Sequence, residues 1–325
     1  MSTNGDREHP VEEISLEELG RRATVPTRGT GGVPLTKAAG AARNGSVRPD
    51  RGDRRLRCLV TNDDGIGSEG LRFLAQVALE AGLEVVVAAP MQECSGASAS
   101  ITAMEEDGHF VVESRTLPGL EDACTVLAVG GLPAFIALTG MRGAFGPPPD
   151  VVLSGINSGP NTGYAVLHSG TVGAALTAST FGARAMAVSL NVRTRTVSGA
   201  GVPPSEQAPP HWGTAAEVAA RILPTVLEAE PGTVFNVNAP NVPFGEVRGL
   251  ARAALARFGA VQTNVAERGE GYVKVALAEI DAEYEPGTDA ALIAAGYATI
   301  TPLRAVCEAW EAPLPMFPAG SLIDG

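Results

Sequence analysis

The first sustained apolar pattern is Leu56-Arg57-Cys58-Leu59-Val60-Thr61, a short run of strand type that breaks off at Asn62-Asp63-Asp64-Gly65. A helix follows: in GLRFLAQVALEAG, Leu71, Leu74, Ala75, Ala78 and Leu79 recur at helical spacing, and Gly82 stands where a helix stops. LEVVVAAP then reads as a second, buried strand. Strand, helix and strand, with continuously apolar strands, predict a right-handed βαβ unit in a parallel sheet. The pattern repeats with VVLSG (151–155), a helix from Ser169 to Phe181, the strand AMAVSL (185–190), a helix from Gly213 to Glu230 and the strand TVFNVN (233–238). The predicted class is therefore α/β, with a doubly wound, mainly parallel sheet.

Either side of this region the texture changes. Residues 1–55 mix Gly, Pro, Arg, Glu and Ser and read as a flexible extension, with one short helical pattern over Glu12 to Arg22. The main domain is expected over 56–310. Within it, residues after Pro240 (about 241–303) carry short strand-like runs such as GYVKVALAEI, a small helix at Asp289 to Ala295 and the strand YATIT, which read as an antiparallel appendage. A Pro-rich tail occupies 311–325, and the Pro-, Ser- and Gly-rich stretch 191–211 is either a lid or a surface insertion.

Composition narrows the functional classes. The 325 residues suffice for one large α/β unit or two modest ones, and 45% hydrophobic with 18% charged residues is a globular balance. A formal net charge of -12, with no run of Lys or Arg, argues against a polymeric nucleic-acid partner or an anionic membrane surface. A small anionic substrate would need a concentrated positive element, a metal ion or converging N–H groups. Cys58, Cys94, Cys124 and Cys307 form no CxxC pair and MSTNGDREHP has no secretory pattern, so a reducing cytoplasm is expected. Residues 151–183 hold no charged side chain, but their Gly, Ser, Thr, Asn and Pro content fits buried or site-lining chain rather than a membrane span. The uncharged stretch Ala123 to Met141 is broken by Gly130, Gly131 and Pro133 and predicts strand, turn and helix.

In a parallel sheet, ligands collect at the carboxyl ends of the strands. Asp63 and Asp64 follow the first strand, Ser95 the second, and Asn157 follows VVLSGI. Such oxygen donors suit a hard cation. Two carboxylates about 4 Å apart at an effective dielectric near 20 repel by about 4 kcal/mol, which a dication relieves. Taken alone, Asp-Asp-Gly reads first as a turn in which one Asp caps the next helix, and it is the other clusters that reverse this preference. The Gly- and Asn-rich SGINSGPNTG lets backbone approach a ligand, and His168-Ser169-Gly170-Thr171-Val172-Gly173 is a helix start whose hydroxyls and free N–H groups suit an anion.

These segments resemble the SurE family of metal-dependent nucleotidases. The resemblance rests on VTNDDG (60–65), the Ser-Gly of ECSGASASIT, SGINSGPNTG (154–163) and HSGTVGAA (168–175), with further likeness in NVNAPNVP (236–243) and TDAALIAAGYATITPL (288–303). It implies a Rossmann-like sheet with a segment that exchanges contacts in homodimers or homotetramers. It also implies one divalent ion per subunit, Mg2+, Mn2+ or Co2+, held by Asp63, Asp64, Ser95 and Asn157. Gly96, Asn161, Ser169, Gly170 and Thr171 would line the phosphate site. The chain departs from the resemblance at Met91-Gln92, where an Asp-Arg pair is common, at Ala99, often His or Ser, and at Phe135, where Cys is common. The departures bear on base recognition more than on the chemistry.

The implied activity is hydrolysis of a nucleoside 5'- or 3'-monophosphate, with Asp63 and Asp64 catalytic and Asp63 preferred as proton acceptor from water. His168 stands where the family often has Tyr and is expected to orient or pack. A phospho-aspartate mechanism wants Asp-x-Asp, whereas this pair is adjacent. A phosphatase for another phosphate ester and a non-catalytic nucleotide-binding regulator are the remaining alternatives. P-loop and dinucleotide motifs are missing from the sequence.

Overall fold

The structure, a computed structural model, describes residues 13–14, 54–192, 209–257, 261–269, 272–279 and 284–307. Most of the N-terminal extension, most of the 191–211 connection and the Pro-rich tail lie outside the described residues.

Strand β1 is only Glu13–Ile14. The main unit starts at β2 (Arg57–Thr61), continues through α1 (Glu69–Glu80) to β3 (Glu84–Pro90), and reaches β7 (Thr125–Val129) by way of the short β4 (Glu105–Glu106), β5 (His109–Phe110) and β6 (Val112–Ser114). Then come α2 (Pro133–Met141), β8 (Val151–Ser158), a 3-10 turn at Gly163–His168, α3 (Gly170–Thr180), β9 (Arg184–Asn191), α4 (Trp212–Glu228) and β10 (Val234–Pro240). The chain closes with β11 (Leu250–Arg252), the hairpin β12 (Val261–Gly269) and β13 (Tyr272–Glu279), α5 (Asp289–Ala294) and β14 (Ala298–Leu303).

Ten strands form one sheet in the order β1-β11-β14-β10-β9-β8-β2-β3-β7-β6. From β10 to β7 every neighbouring pair is parallel. From β2 the chain steps outward through β3 to β7, and from β8 it steps the other way through β9 to β10. The two halves meet between β2 and β8, where a doubly wound sheet opens a crevice at its carboxyl edge. Apolar side chains cover both faces: Leu71, Leu74, Ile222 and Leu223 of α1 and α4 seal one core, and Ile136, Ala137, Val172 and Ala175 of α2 and α3 the other. Burial on both sides explains why these strands read as unbroken apolar runs.

The region after Pro240 is less separate than its texture predicts. β14, expected as part of the appendage, pairs antiparallel with β10 and parallel with β11, extending the main sheet. What stands apart is the antiparallel hairpin β12–β13. At Glu13–Ile14 the backbone is a strand antiparallel to β11, not the helix expected over Glu12 to Arg22; the rest of that range lies outside the described residues.

Candidate active site

The turn after β2 is built by its neighbours rather than by its aspartates. The buried Asn62 donates through Nδ2 to the Gly65 carbonyl at 3.0 Å and to Ser68 Oγ at 2.7 Å. Ser68 is the N-cap of α1, accepting from the Leu71 N–H at 3.2 Å. Neither Asp63 nor Asp64 caps that helix. The turn reading of Asp-Asp-Gly holds for the backbone, but it leaves both carboxylates free for another task.

Asp63 points at the start of α3. Thr171 Oγ1 donates to Asp63 Oδ1 at 2.5 Å, and the Gly170 and Thr171 N–H groups also favour its ionised form. Asp63 is 3% exposed, and burial outweighs these donors so that its pKa is raised. Gly170 is required here by space: a Cβ on it would lie 2.8 Å from Asp63 Oδ2 and 2.9 Å from Asp63 Cβ. Ser169 caps α3, accepting from the Val172 N–H at 3.1 Å. The helix N-terminus expected to attract an anion thus already faces one, the Asp63 carboxylate.

Asp64 is half-buried and accepts from the Ser158 N–H at 3.1 Å. Burial first, then the Asp63 charge and more weakly Glu93, push its pKa up to about 6; the influence opposing them is that backbone N–H, not a basic side chain. Since the folded value lies above the ordinary 3.8, ionised Asp64 costs stability. That cost is absent below the ordinary value and complete above about pH 6. In metal-free protein at pH 7, Asp64→Asn should therefore melt above wild type. The gap should close as pH falls from 7 to 4; a gap that widens on acidification would refute this assignment of charge.

Ser95 and Asn157 approach the pair through the residues beside them. The Cys94 N–H donates to the Asp63 carbonyl at 2.8 Å, which docks the loop carrying Ser95 onto the aspartate turn. Ser95 itself is exposed and donates to Glu93 Oε1 at 2.9 Å; Gly96, also exposed, follows with φ of 78°. The same loop touches α3, where a Cβ on Gly173 would fall 2.3 Å from the Ser98 carbonyl oxygen. β8 runs past the expected end at Gly155 to Ser158, with a register irregularity against β9 between Ser154 and Asn157. Asn157 donates through Nδ2 to the Gly159 carbonyl at 2.8 Å, leaving its amide oxygen as the atom able to ligate.

Asn161 is tied to β9 and β10. Its Nδ2 donates to Ser189 Oγ at 2.8 Å and its N–H to Asn238 Oδ1 at 2.8 Å. His168 is exposed at the end of the 3-10 turn. Sequence reasoning missed Asp289, a fully buried carboxylate that accepts from the N–H groups of Gly163 at 2.8 Å, Ala256 at 3.0 Å and Ala290 at 2.8 Å. Burial raises its pKa against those three donors. Its sequence signal was an Asp directly after Thr288, the N-cap of α5.

The comparisons with known proteins place the chain as a whole. Residues 58–262 match the family model described as survival protein SurE. The chain belongs to the SurE family. It is 34% identical over 268 residues to the 5'-nucleotidase SurE of Stenotrophomonas maltophilia, covering 79% of this chain and 93% of that protein. To the 5'/3'-nucleotidase SurE of Shigella dysenteriae it is 34% identical over 258 residues, covering 77% and 90%. The crystal structure of SurE from Aquifex aeolicus superposes with a TM-score of 0.62 at 28% identity, covering 78% of this chain and 96% of that one. The SurE match takes in the aspartate turn, the Ser95 loop, the end of β8 and the start of α3, and the Rossmann-like sheet expected from the resemblance is the observed one.

The donor set also fits a hard dication. Two adjacent carboxylates with raised pKa, a hydroxyl and an amide oxygen are oxygen donors that gain most from a small divalent cation. Beside them, burial and then Asp63, Asp64 and Glu93 push the Cys94 thiol of the metal-free protein up to about 12. Among the described residues no group of three or more His, Cys, Asp or Glu is placed to hold a metal ion, so the proposed site draws on Ser and Asn oxygens beside its two carboxylates, and no helix is long and apolar enough to cross a membrane.

Proposed function

We propose that this chain is a metal-dependent phosphomonoester hydrolase acting on nucleoside 5'- or 3'-monophosphates. The observation that carries the reading is the Asp63-Asp64 pair at the crevice of the sheet, Asp63 against the first turn of α3 with Thr171 as donor and Asp64 held by the Ser158 N–H at the end of β8. The names of the relatives, 5'-nucleotidase and 5'/3'-nucleotidase, support the substrate class.

Asp63, Asp64, Ser95 and Asn157 would hold one Mg2+, Mn2+ or Co2+, which when bound supplies Lewis-acid polarisation of the phosphoryl group and a more acidic water. Gly96, Asn161 and the Ser169-Gly170-Thr171 turn would bind and orient the phosphate through hydroxyl, amide and backbone N–H groups. Asp63, buried against the start of α3 with Thr171 as its donor, would be one carboxylate ligand, its negative charge stabilised by the ion. Asp64, half-buried beside it, would be the second carboxylate ligand, and Asp63 stays the preferred acceptor for the water proton, as read from sequence.

The test is orthophosphate release across a panel of nucleoside 5'- and 3'-monophosphates and simple phosphate esters, with Mn2+ supplied. At least one nucleotide should turn over well above p-nitrophenyl phosphate; no release from any nucleotide would reject the reading. The hairpin β12–β13 stands outside the main sheet, and we place it against a second copy of the chain. Light scattering at micromolar concentration should then show a dimer or tetramer, and a monomer alone would contradict this.

A further inference from the structure

β10 is buried at every position from Val234 to Pro240, yet its sequence places Asn236 and Asn238 in the middle of the sheet. An apolar residue would serve such a strand better, because a buried amide costs about 1–3 kcal/mol wherever it lacks a partner. Asn236 Oδ1 is in that position, buried and without a hydrogen bond among the described residues. What these amides do hold is one residue on a different loop. Asn238 accepts the Asn161 N–H at 2.8 Å and donates back to the Asn161 carbonyl at 3.0 Å, pairing with its backbone as a strand partner would. Asn236 donates to the same carbonyl at 2.8 Å. Ser189, at the neighbouring end of β9 and in register with Asn238, accepts from the Asn161 side chain at 2.8 Å.

Backbone and side chain of Asn161 are thus fixed from β9 and β10, the rigid strands beside the crevice. Two residues later the Gly163 N–H is held by Asp289, and the turn that follows leads directly into Ser169 and α3. We propose that Asn238 and Asn236, with Ser189, are positioning residues for the phosphate seat: they set the place of Asn161 without touching substrate. The proposal rests on the reading of Asn161 as a phosphate-binding residue. Positioning groups of this kind matter because a misplacement of about 1 Å can cost about a hundredfold in rate.

The test compares Asn238→Ala, Ser189→Ala and Asn161→Ala in the full chain. The readouts are the inhibition constant of orthophosphate, Mn2+ affinity by titration, kcat and KM, and melting temperature. Asn238→Ala should weaken orthophosphate about tenfold and lower kcat/KM about a hundredfold, while Mn2+ affinity, set by other side chains, changes less than about twofold. Ser189→Ala, a milder cut that keeps the backbone clamp, should show a smaller loss of the same kind and serves if Asn238→Ala does not fold. Wild-type orthophosphate binding in the foldable variants overturns the proposal. So does a parallel loss of phosphate and Mn2+ affinity with a lowered melting temperature, which marks a general scaffold role. If Asn161→Ala itself binds orthophosphate as wild type does, the phosphate-seat reading is what fails, and the clamp falls with it.

Discussion

Asp63→Asn should reduce turnover on the order of 10²–10³-fold or more while leaving the metal-free protein at least as stable as wild type. The carboxylate is buried against the start of α3, and the donors it receives do not fully offset its desolvation, as its raised pKa indicates. The amide keeps the shape and one oxygen acceptor but removes the charge. In the absence of metal that relieves the repulsion with Asp64, so the melting temperature stays level or rises at pH 7. Added Mn2+ should then stabilise the variant less than wild type, because stabilisation by a ligand follows its affinity for the folded state. An Asp63→Asn protein that melts well below wild type without metal, and turns over normally with it, would mean that Asp63 serves the backbone turn rather than the reaction.

Gly170→Ala is the second large effect. At most helix positions this exchange is neutral or stabilising by about 1 kcal/mol, because alanine is the better helix former. Here the new methyl would sit 2.8 Å from Asp63 Oδ2 and 2.9 Å from Asp63 Cβ, so either the aspartate or the first turn of α3 must move. We expect kcat/KM to fall about a hundredfold and stability to drop by about 1–3 kcal/mol. Gly213→Ala, in α4 with open space around the position, is the control and should keep full activity. Wild-type kinetics in Gly170→Ala would show that the contact between α3 and Asp63 does not shape the site.

Much of the architecture was legible because a parallel sheet covered on both faces writes itself as apolar runs broken by polar clusters. Helix α1, expected from Leu71, Leu74, Ala75 and Ala78, and strands β3, β9 and β10 lie within a residue or two of their predicted bounds. The aspartate turn was legible for the same reason, because polar residues at a strand end interrupt the pattern, whereas β8, expected to stop at Gly155, runs on to Ser158. What sequence did not reveal depends on contacts between distant segments. Nothing local in YATIT says that β14 inserts beside β10 rather than joining the hairpin. Gly170 looked like a phosphate-loop glycine, yet the neighbour that demands it is Asp63, more than a hundred residues earlier in the chain. Asp289 and Asn238 looked like a helix-start acid and a strand polar residue until the loop they hold came into place. The departures at Met91, Gln92 and Phe135 concern a different question, the leaving group, on which the positions of the carboxylates are silent.

The account stands on the claim that Asp63 and Asp64 hold a divalent ion without which the phosphate ester is not cleaved. The most direct measurement is a back-titration: strip the wild-type protein with chelator, then follow orthophosphate release from a nucleoside monophosphate as Mn2+ is returned, with bound metal measured in the same samples. The rate should be negligible without metal, rise in proportion to bound metal and level off near one ion per subunit. Full turnover in protein shown to be metal-free would contradict the account.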